Sequence, residues 1–188
     1  MKFCSQCAHP VVFDIPLDDT LPRYICKNCK TIHYQNPKIV VNTIPFWKEE
    51  KELSVLLCLR AIEPRLGFWT LPGGFMENNE TTKEGALRET EEEAGADIVM
   101  GDLFALMNLP TVQQVHLFYL AELKSLSFAP GLETLETQMF TETEIPWDEI
   151  AFTSTRQALE LFFSDQQKAL NGQSRLHSVD LKRLVYPT

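Results

Sequence analysis

No stretch of this 188-residue chain runs to eighteen consecutive apolar residues, so the sequence offers no candidate membrane-spanning helix. The opening residues, Met1-Lys2-Phe3-Cys4, enter cysteine chemistry at once and lack the apolar core of a secretory leader, which gives a cytoplasmic expectation. Internal repeats and low-complexity tracts are absent. So is any excess of positive charge: 17 Lys and Arg stand against 26 Asp and Glu, a net charge of −9. A polyanionic partner, whether nucleic acid or an anionic membrane, is therefore repelled at long range, and a phosphate substrate would need metal ions held locally. The five cysteines are an odd number, which counts against a disulfide scaffold. What is present, 44% hydrophobic and 23% charged residues, suits one medium globular domain with a small appendage.

The appendage is residues 1–36, turn-rich and near neutral, since Lys2, Arg23, Lys27 and Lys30 balance Asp14, Asp18 and Asp19. It carries Cys4-Ser5-Gln6-Cys7 and Cys26-Lys27-Asn28-Cys29, two CxxC pairs eighteen residues apart, the spacing of a zinc ribbon. So short a segment cannot hold an apolar core unaided, and a structural Zn²⁺ contributes on the order of 10 kcal/mol to folding. Four thiolates close the coordination shell, which favours a structural ion over a redox CxxC. His9 and His33 flank the pairs and read as surface histidines. With no basic and aromatic stripe, the ribbon is expected to pack on its own chain or build a dimer rather than bind RNA or DNA. The fifth cysteine, Cys58, lies in the apolar run Val55-Leu56-Leu57-Cys58-Leu59 and reads as a buried small hydrophobe.

A main domain is expected over 37–170, with a tail at 171–188 from which the sequence yields nothing. Lys38–Phe46 and Leu53–Arg60 read as a hairpin around Lys48-Glu49-Glu50-Lys51. The aromatic stretch Phe68-Trp69-Thr70-Leu71 leads into Pro72-Gly73-Gly74, an irregular turn. A helix is predicted from about Thr81 to Ala94, closed by Gly95. Further strands are predicted over Leu103–Leu109, Gln114–Leu123 and Glu136–Thr141, and a second helix over Thr153–Lys168, where Ala158, Leu159, Leu161 and Phe162 keep helical spacing.

On the first helix Glu89, Glu92 and Glu93 fall at i, i+3 and i+4 and share one face. Three converging carboxylates repel one another unless cations sit between them, and hard oxygen donors suit Mg²⁺ or Mn²⁺. Such ions neutralise a pyrophosphate, orient it and acidify an attacking water. Arg88, one turn from Glu84 and from Glu92, can brace the face, and the glycines at 73 and 74 let a loop carbonyl approach the metal. Most charge runs are only solvated helix faces. Here the register decides otherwise. Gly74, Glu80, Arg88, Glu89, Glu92, Glu93 and Gly95 fill all seven fixed positions of GX5EX7REUXEEXGU, a coincidence arising roughly once in 10⁸ placements at about 7% usage per residue.

That pattern resembles the box of the Nudix hydrolase superfamily. The resemblance implies an α/β/α sandwich around a mixed sheet, with Glu89, Glu92, Glu93 and the Gly73 carbonyl as metal ligands. Thr90 and Ala96 stand where bulky aliphatics are usual, a matter of packing. A ribbon before such a box is similar to two groups. Bacterial NADH pyrophosphatases carry an SQPWPFPxS-like array after the box, from which Leu106-Met107-Asn108-Leu109-Pro110-Thr111-Val112-Gln113-Gln114 departs. Chloroplast FAD pyrophosphatases of plants, which also act on ADP-ribose, are the closer likeness, through Tyr34-Gln35-Asn36-Pro37-Lys38, Gly67-Phe68-Trp69-Thr70-Leu71-Pro72, Phe128-Ala129-Pro130-Gly131 and Glu144-Ile145-Pro146-Trp147.

The resemblance implies cleavage of FAD to FMN and AMP, or of ADP-ribose, by a homodimer acting on a small nucleotide. Phe68, Trp69, Phe75 and Phe118 are candidate ring platforms, each also explicable as core, and Arg60 and Arg65 are candidate diphosphate contacts, each also explicable as solvated surface. A base in this family is usually a further glutamate, in the box or a late loop. Glu136 is taken over Glu133, while Glu77 and Glu80 look structural. A non-catalytic nucleotide sensor is the alternative of a different class, and NADH or capped RNA ends are alternative substrates.

Overall fold

Ala8 and Lys30, the residues following each CxxC, take left-handed conformations (φ 59° and 64°), and each returns a backbone N–H to the first cysteine of its pair: Ala8 to Cys4 O at 2.9 Å, Lys30 to Cys26 O at 2.8 Å. Each pair is thus wrapped into a turn with its thiols facing inward. Between them run β1 (Val11–Asp14), β2 (Arg23–Cys26) and β3 (Ile32–His33), an antiparallel sheet in the order β1-β2-β3. Phe3, Phe13, Leu17 and Tyr34 remain exposed while Cys4 and Cys26 are buried, so this unit is organised around sulfur rather than an apolar core. The computed structural model describes residues 1–49, 52–168 and 176–182, and its contacts divide the chain into Met1–Pro37 and Lys38–Thr188.

The second unit contains β4 (Lys38–Glu49), β5 (Glu52–Arg60), β6 (Trp69–Thr70), β7 (Gly73–Phe75), α1 (Thr82–Ala94), β8 (Ile98–Leu109), β9 (Gln114–Leu123), β10 (Thr134–Thr141), α2 (Thr153–Lys168) and β11 (His177–Asp180). Its sheet is mixed, in the order β10-β5-β4-β9-β8-β11, with β6 paired to β5 and β7 to β4. The β4–β9 and β8–β11 pairs are parallel and the others antiparallel. Alternate residues of β5 show that both faces are covered. Val55 and Leu57 join the core containing Leu159 and Phe162 of α2, whereas Leu56 and Cys58 join Ala94 at the end of α1. That is why β5 reads as an unbroken apolar run. The expected α/β/α arrangement is present, with an N-terminal cysteine ribbon.

α1 is charged over most of its surface, and small residues let it approach the sheet: Gly85, Ala86, Thr90 and Ala94 are buried. Thr90 satisfies its hydroxyl twice, donating to Ala86 O at 2.7 Å and meeting Thr43 Oγ1 of β4 at 2.7 Å. A bulky aliphatic would fill that place without a hydrogen bond. The helix starts at a full capping box, Thr81 with Glu84, and ends at Gly95 with φ 56°.

Three expectations change. β8 begins at Ile98, because register shifts between Met100 and Ala105 break the alternation that a sequence reading follows. β10 begins at Thr134 rather than Glu136. The region set aside as a tail supplies β11, parallel to β8, and the rest of 171–188 falls largely outside the described residues, as does the hairpin tip Glu50-Lys51. Among the described residues no helix is long and apolar enough to cross a membrane.

Candidate functional site

In the ribbon, the four cysteine Sγ atoms all lie within 4.8 Å of one another, with Cys4–Cys29 at 3.6 Å and Cys7–Cys26 at 3.4 Å. Four ligands about 2.3 Å from a tetrahedral ion would be separated by about 3.8 Å, so the thiols fit a metal of zinc's size and softness. The His9 backbone N–H is the main influence that brings the Cys7 thiol down to about 5, towards the thiolate a metal needs. His9 is exposed, as expected. His33 is not an ordinary surface histidine: its Nε2 lies 3.3 Å from Cys4 Sγ, the hydrogen bond that a residue outside the coordination shell makes to a ligand.

The acidic face of α1 is assembled by one guanidinium. Arg88 Nε and Nη2 donate to the two carboxylate oxygens of Glu80 (3.1 and 3.0 Å), and Nη1 donates to Glu89 (2.8 Å) and Glu92 (3.1 Å). Nη2 also reaches Phe75 O at 3.3 Å. Glu80, read from sequence as structural, also accepts the Glu77 N–H at its Oε1 at 2.6 Å. Glu84 is engaged at the cap instead of by Arg88. Glu93, only 7% exposed, accepts the Gly73 N–H at 2.9 Å. Gly74 permits the close approach of strand and helix, since a Cβ there would overlap the Glu89 carboxylate.

Burial pushes Glu89 above the usual carboxylate range and is the main cause that raises Glu93 to about 7; the Gly73 N–H and Arg60 act against it, and the charges of Glu89 and Glu133 add to it. These are desolvated carboxylates with like-charged neighbours, which a divalent cation would relieve. Carboxylates are hard oxygen donors, the class that suits Mg²⁺ or Mn²⁺.

These groups line one side of a cavity of about 910 Å³. Arg88, Glu89, Glu92, Glu93, Gly73 and Glu133 form its charged wall. The rest of the lining is uncharged: Val40, Leu109 and Val112 are apolar, and Gln114, His116, Thr70, Ser154 and Thr155 add neutral polar groups. Of the candidate substrate contacts, Arg60 and Phe75 are on the wall. Arg60 Nε donates to Pro64 O at 2.9 Å, and its guanidinium sits 5.0 Å from the Phe152 ring centre.

Five candidates are corrected. Trp69 is buried in the core, edge-on to Phe140 at 4.9 Å, and Phe118 is wholly buried, both being strand residues whose side chains face α2. Arg65 and Phe68 stack on each other at 5.2 Å and do not contribute to the wall. Glu136 is exposed and off the cavity, while Glu133 is on it. The reason is a bulge between Thr134 and Glu136, which reverses the face that each later residue presents. Glu133 is held in place from both sides. Ala129 N–H and Gly131 N–H bond to Ala94 O (2.9 Å) and Glu93 O (3.1 Å) at the end of α1, and Glu133 O accepts from Ala61 N–H at 2.8 Å. Asn42, Gln114 and His116 also line the cavity, and no sequence motif signals them.

The family model for the NUDIX domain matches residues 37–162, and the model described as Nudix N-terminal, a zinc ribbon, matches residues 2–35. The NAD-capped RNA hydrolase NudC of Vibrio atlanticus is 27% identical over 182 residues, 94% of this chain and 62% of that protein. An ADP-ribose pyrophosphatase of Methanocaldococcus jannaschii is 40% identical over 62 residues, 33% of this chain and 34% of that one. The crystal structure of a NUDIX hydrolase from Nitrosomonas europaea is 49% identical, with a TM-score of 0.86 over 96% of this chain and 99% of the other. The chain spans less than two thirds of the length of the first curated relatives it matches.

Glu93 gives a direct test of these electrostatics. Its carboxyl is raised from 4.5 to about 7 on folding, so its contribution to stability is fully present below about 4.5 and is lost as pH rises through 7. Carbon-13 NMR of glutamate-labelled protein without added metal is expected to show one carboxyl titrating near pH 7 that disappears in Glu93→Gln. A spectrum in which every glutamate titrates near its ordinary value would contradict the described burial.

Proposed function

Because the chain belongs to the Nudix family, as a member with an N-terminal zinc ribbon, we propose that it is a metal-dependent pyrophosphatase that cleaves nucleoside diphosphate derivatives. FAD, giving FMN and AMP, and ADP-ribose are its proposed substrates. The observation that carries this reading is the pair of desolvated carboxylates, Glu89 and Glu93, on the wall of a cavity large enough for a dinucleotide. Glu89, Glu92 and Glu93, with the Gly73 carbonyl, would hold Mg²⁺ or Mn²⁺. Bound there, the ions supply charge neutralisation at the diphosphate and an acidified water.

The chain's own residues do the rest. Arg88 keeps Glu89 and Glu92 from splaying, and the Gly73 N–H fixes the rotamer of Glu93. Arg60, charged and on the wall beside Glu93, is placed to bind a phosphate oxygen. Glu133 replaces Glu136 as the proposed base, since it faces the same cavity as the acidic helix. Phe75, 47% exposed on the wall with Lys38 Nζ 4.6 Å from its ring centre, is the aromatic placed to meet a substrate ring. In the ribbon, Cys4, Cys7, Cys26 and Cys29 are proposed to hold a structural Zn²⁺.

A second reading, hydrolysis of NAD-capped RNA ends or NADH, is favoured by the likeness to NudC over 94% of the chain. The net charge of −9 opposes the RNA arm of it.

Purified protein with Mg²⁺ is expected to release AMP from FAD or ADP-ribose, identified by product mass, and Glu92→Gln to slow that release by roughly 100-fold or more. Unchanged turnover in the variant would remove the acidic face from the mechanism. Tight binding of ADP-ribose without hydrolysis would instead support a nucleotide sensor. Elemental analysis is expected to find one zinc per chain, lost in Cys26→Ser; zinc retained by that variant would contradict the ribbon assignment.

A further inference from the structure

Gln114 and His116 follow one another on the same face of β9, at the end of the strand that opens onto the cavity wall. Their cross-strand neighbours, Leu109 of β8 for Gln114 and Val40 of β4 for His116, also lie on that wall, as does Val112 from the turn Pro110–Val112. The two polar side chains are joined to each other: His116 Nε2 is 2.8 Å from Gln114 Oε1. A carboxamide oxygen only accepts, so this contact assigns the proton to Nε2 and leaves Nδ1 a bare acceptor. His116 is 9% exposed, and its Nδ1 is buried without a hydrogen-bond partner. A polar atom so placed in a native protein calls for a partner, and His116 itself belongs to the cavity wall.

We propose that the His116–Gln114 pair is the specificity element for the substrate's ring, accepting a hydrogen bond at His116 Nδ1 from a ring N–H or amine while the Gln114 amide N–H donates to an adjacent ring acceptor. The inference rests on the proposed function and extends it from the diphosphate to the ring. Burial holds the imidazole at about 4, far below its ordinary value, so it stays neutral and keeps Nδ1 an acceptor at physiological pH. The apolar neighbours Val40, Leu109 and Val112 fit a flat heterocycle, and the polar pair fits an edge presenting donor beside acceptor. Adenine offers such an edge through its 6-amino group, and a flavin through its N3–H.

Calorimetric binding of the two halves of FAD, neither of which contains a pyrophosphate bond, tests this without turnover. The probes are AMP against the purine nucleotide lacking the 6-amino group, and FMN against N3-methyl FMN. The protein is expected to prefer the unmodified member of one pair by at least about tenfold, because the modified one leaves Nδ1 unpartnered. The pair that discriminates identifies the ring. In His116→Leu the preference should fall to within about twofold, and in His116→Gln, which restores an acceptor, it should partly return. Thermal midpoints should not fall in His116→Leu, since that change removes a buried orphan atom. Absence of binding, of discrimination, or of any change in His116→Leu overturns the proposal. Hydrolysis of FAD and ADP-ribose by the same preparations is read separately. Discrimination without turnover would sink the pyrophosphatase reading alone, and turnover without discrimination this inference alone.

Discussion

The guanidinium of Arg88 is the interaction on which the arrangement of α1 depends. Within thirteen residues the helix carries Glu84, Glu89, Glu91, Glu92 and Glu93, a density of like charge that by itself favours splayed side chains and a frayed helix. Arg88 spreads its planar set of donors over Glu80, Glu89 and Glu92 and adds the Phe75 carbonyl, so one side chain fixes three carboxylates and ties the loop before α1 to its middle. Glu80 is the largest cause that pushes the Arg88 charge further towards permanence, and Arg88 in turn holds Glu80 below the usual carboxylate range. A lysine, with a point charge and no planar fork, could not make this set of contacts.

The rest of the site is positioned at the two ends of that helix. Its first turn is closed by Thr81 and Glu84, which frees Glu80 for Arg88. Its last turn would leave carbonyls without partners, and the loop ahead of β10 supplies them through Ala129 and Gly131. A Cβ on Gly131 would collide with Glu92 O, so only glycine lets the loop lie this close. The same docking that satisfies the helix end therefore brings Glu133 to the cavity. Small residues on the inner face of α1 complete the design: with Ala86 and Thr90 against β4, the strand-borne Gly73 and Gly74 come within reach of Glu93 and Glu89.

How much of this the sequence discloses follows the range of the interactions involved. The acidic face and its brace lie within twenty residues of one another and are governed by helical geometry, so the register from Gly74 to Gly95 contains them. The cysteine pairs are legible for the same reason, because each CxxC is a local turn. Glu136 turns away from the cavity because a single-residue bulge at the start of β10 reverses every later face, and nothing local announces it. Trp69 and Phe68 sit side by side in sequence, yet one is core and the other stacks on Arg65, a distinction made by residues distant in the chain such as Phe140. His116 lay inside a correctly bounded strand and still gave no signal, since an orphaned Nδ1 exists only once the cavity is built. β11 is too short and too polar to be told from a tail without its partner β8.

Glu89, Glu92 and Glu93 are proposed to form one site for divalent cations against a diphosphate. The most direct test is diffraction at the manganese edge from crystals grown with Mn²⁺ and α,β-methylene ADP-ribose, which cannot be cleaved at the bridging position. Anomalous peaks are expected about 2.2 Å from carboxylate oxygens of these three residues, shared with phosphate oxygens of the ligand. Peaks confined to other acidic residues, or ligand bound with no metal at α1, would contradict this assignment.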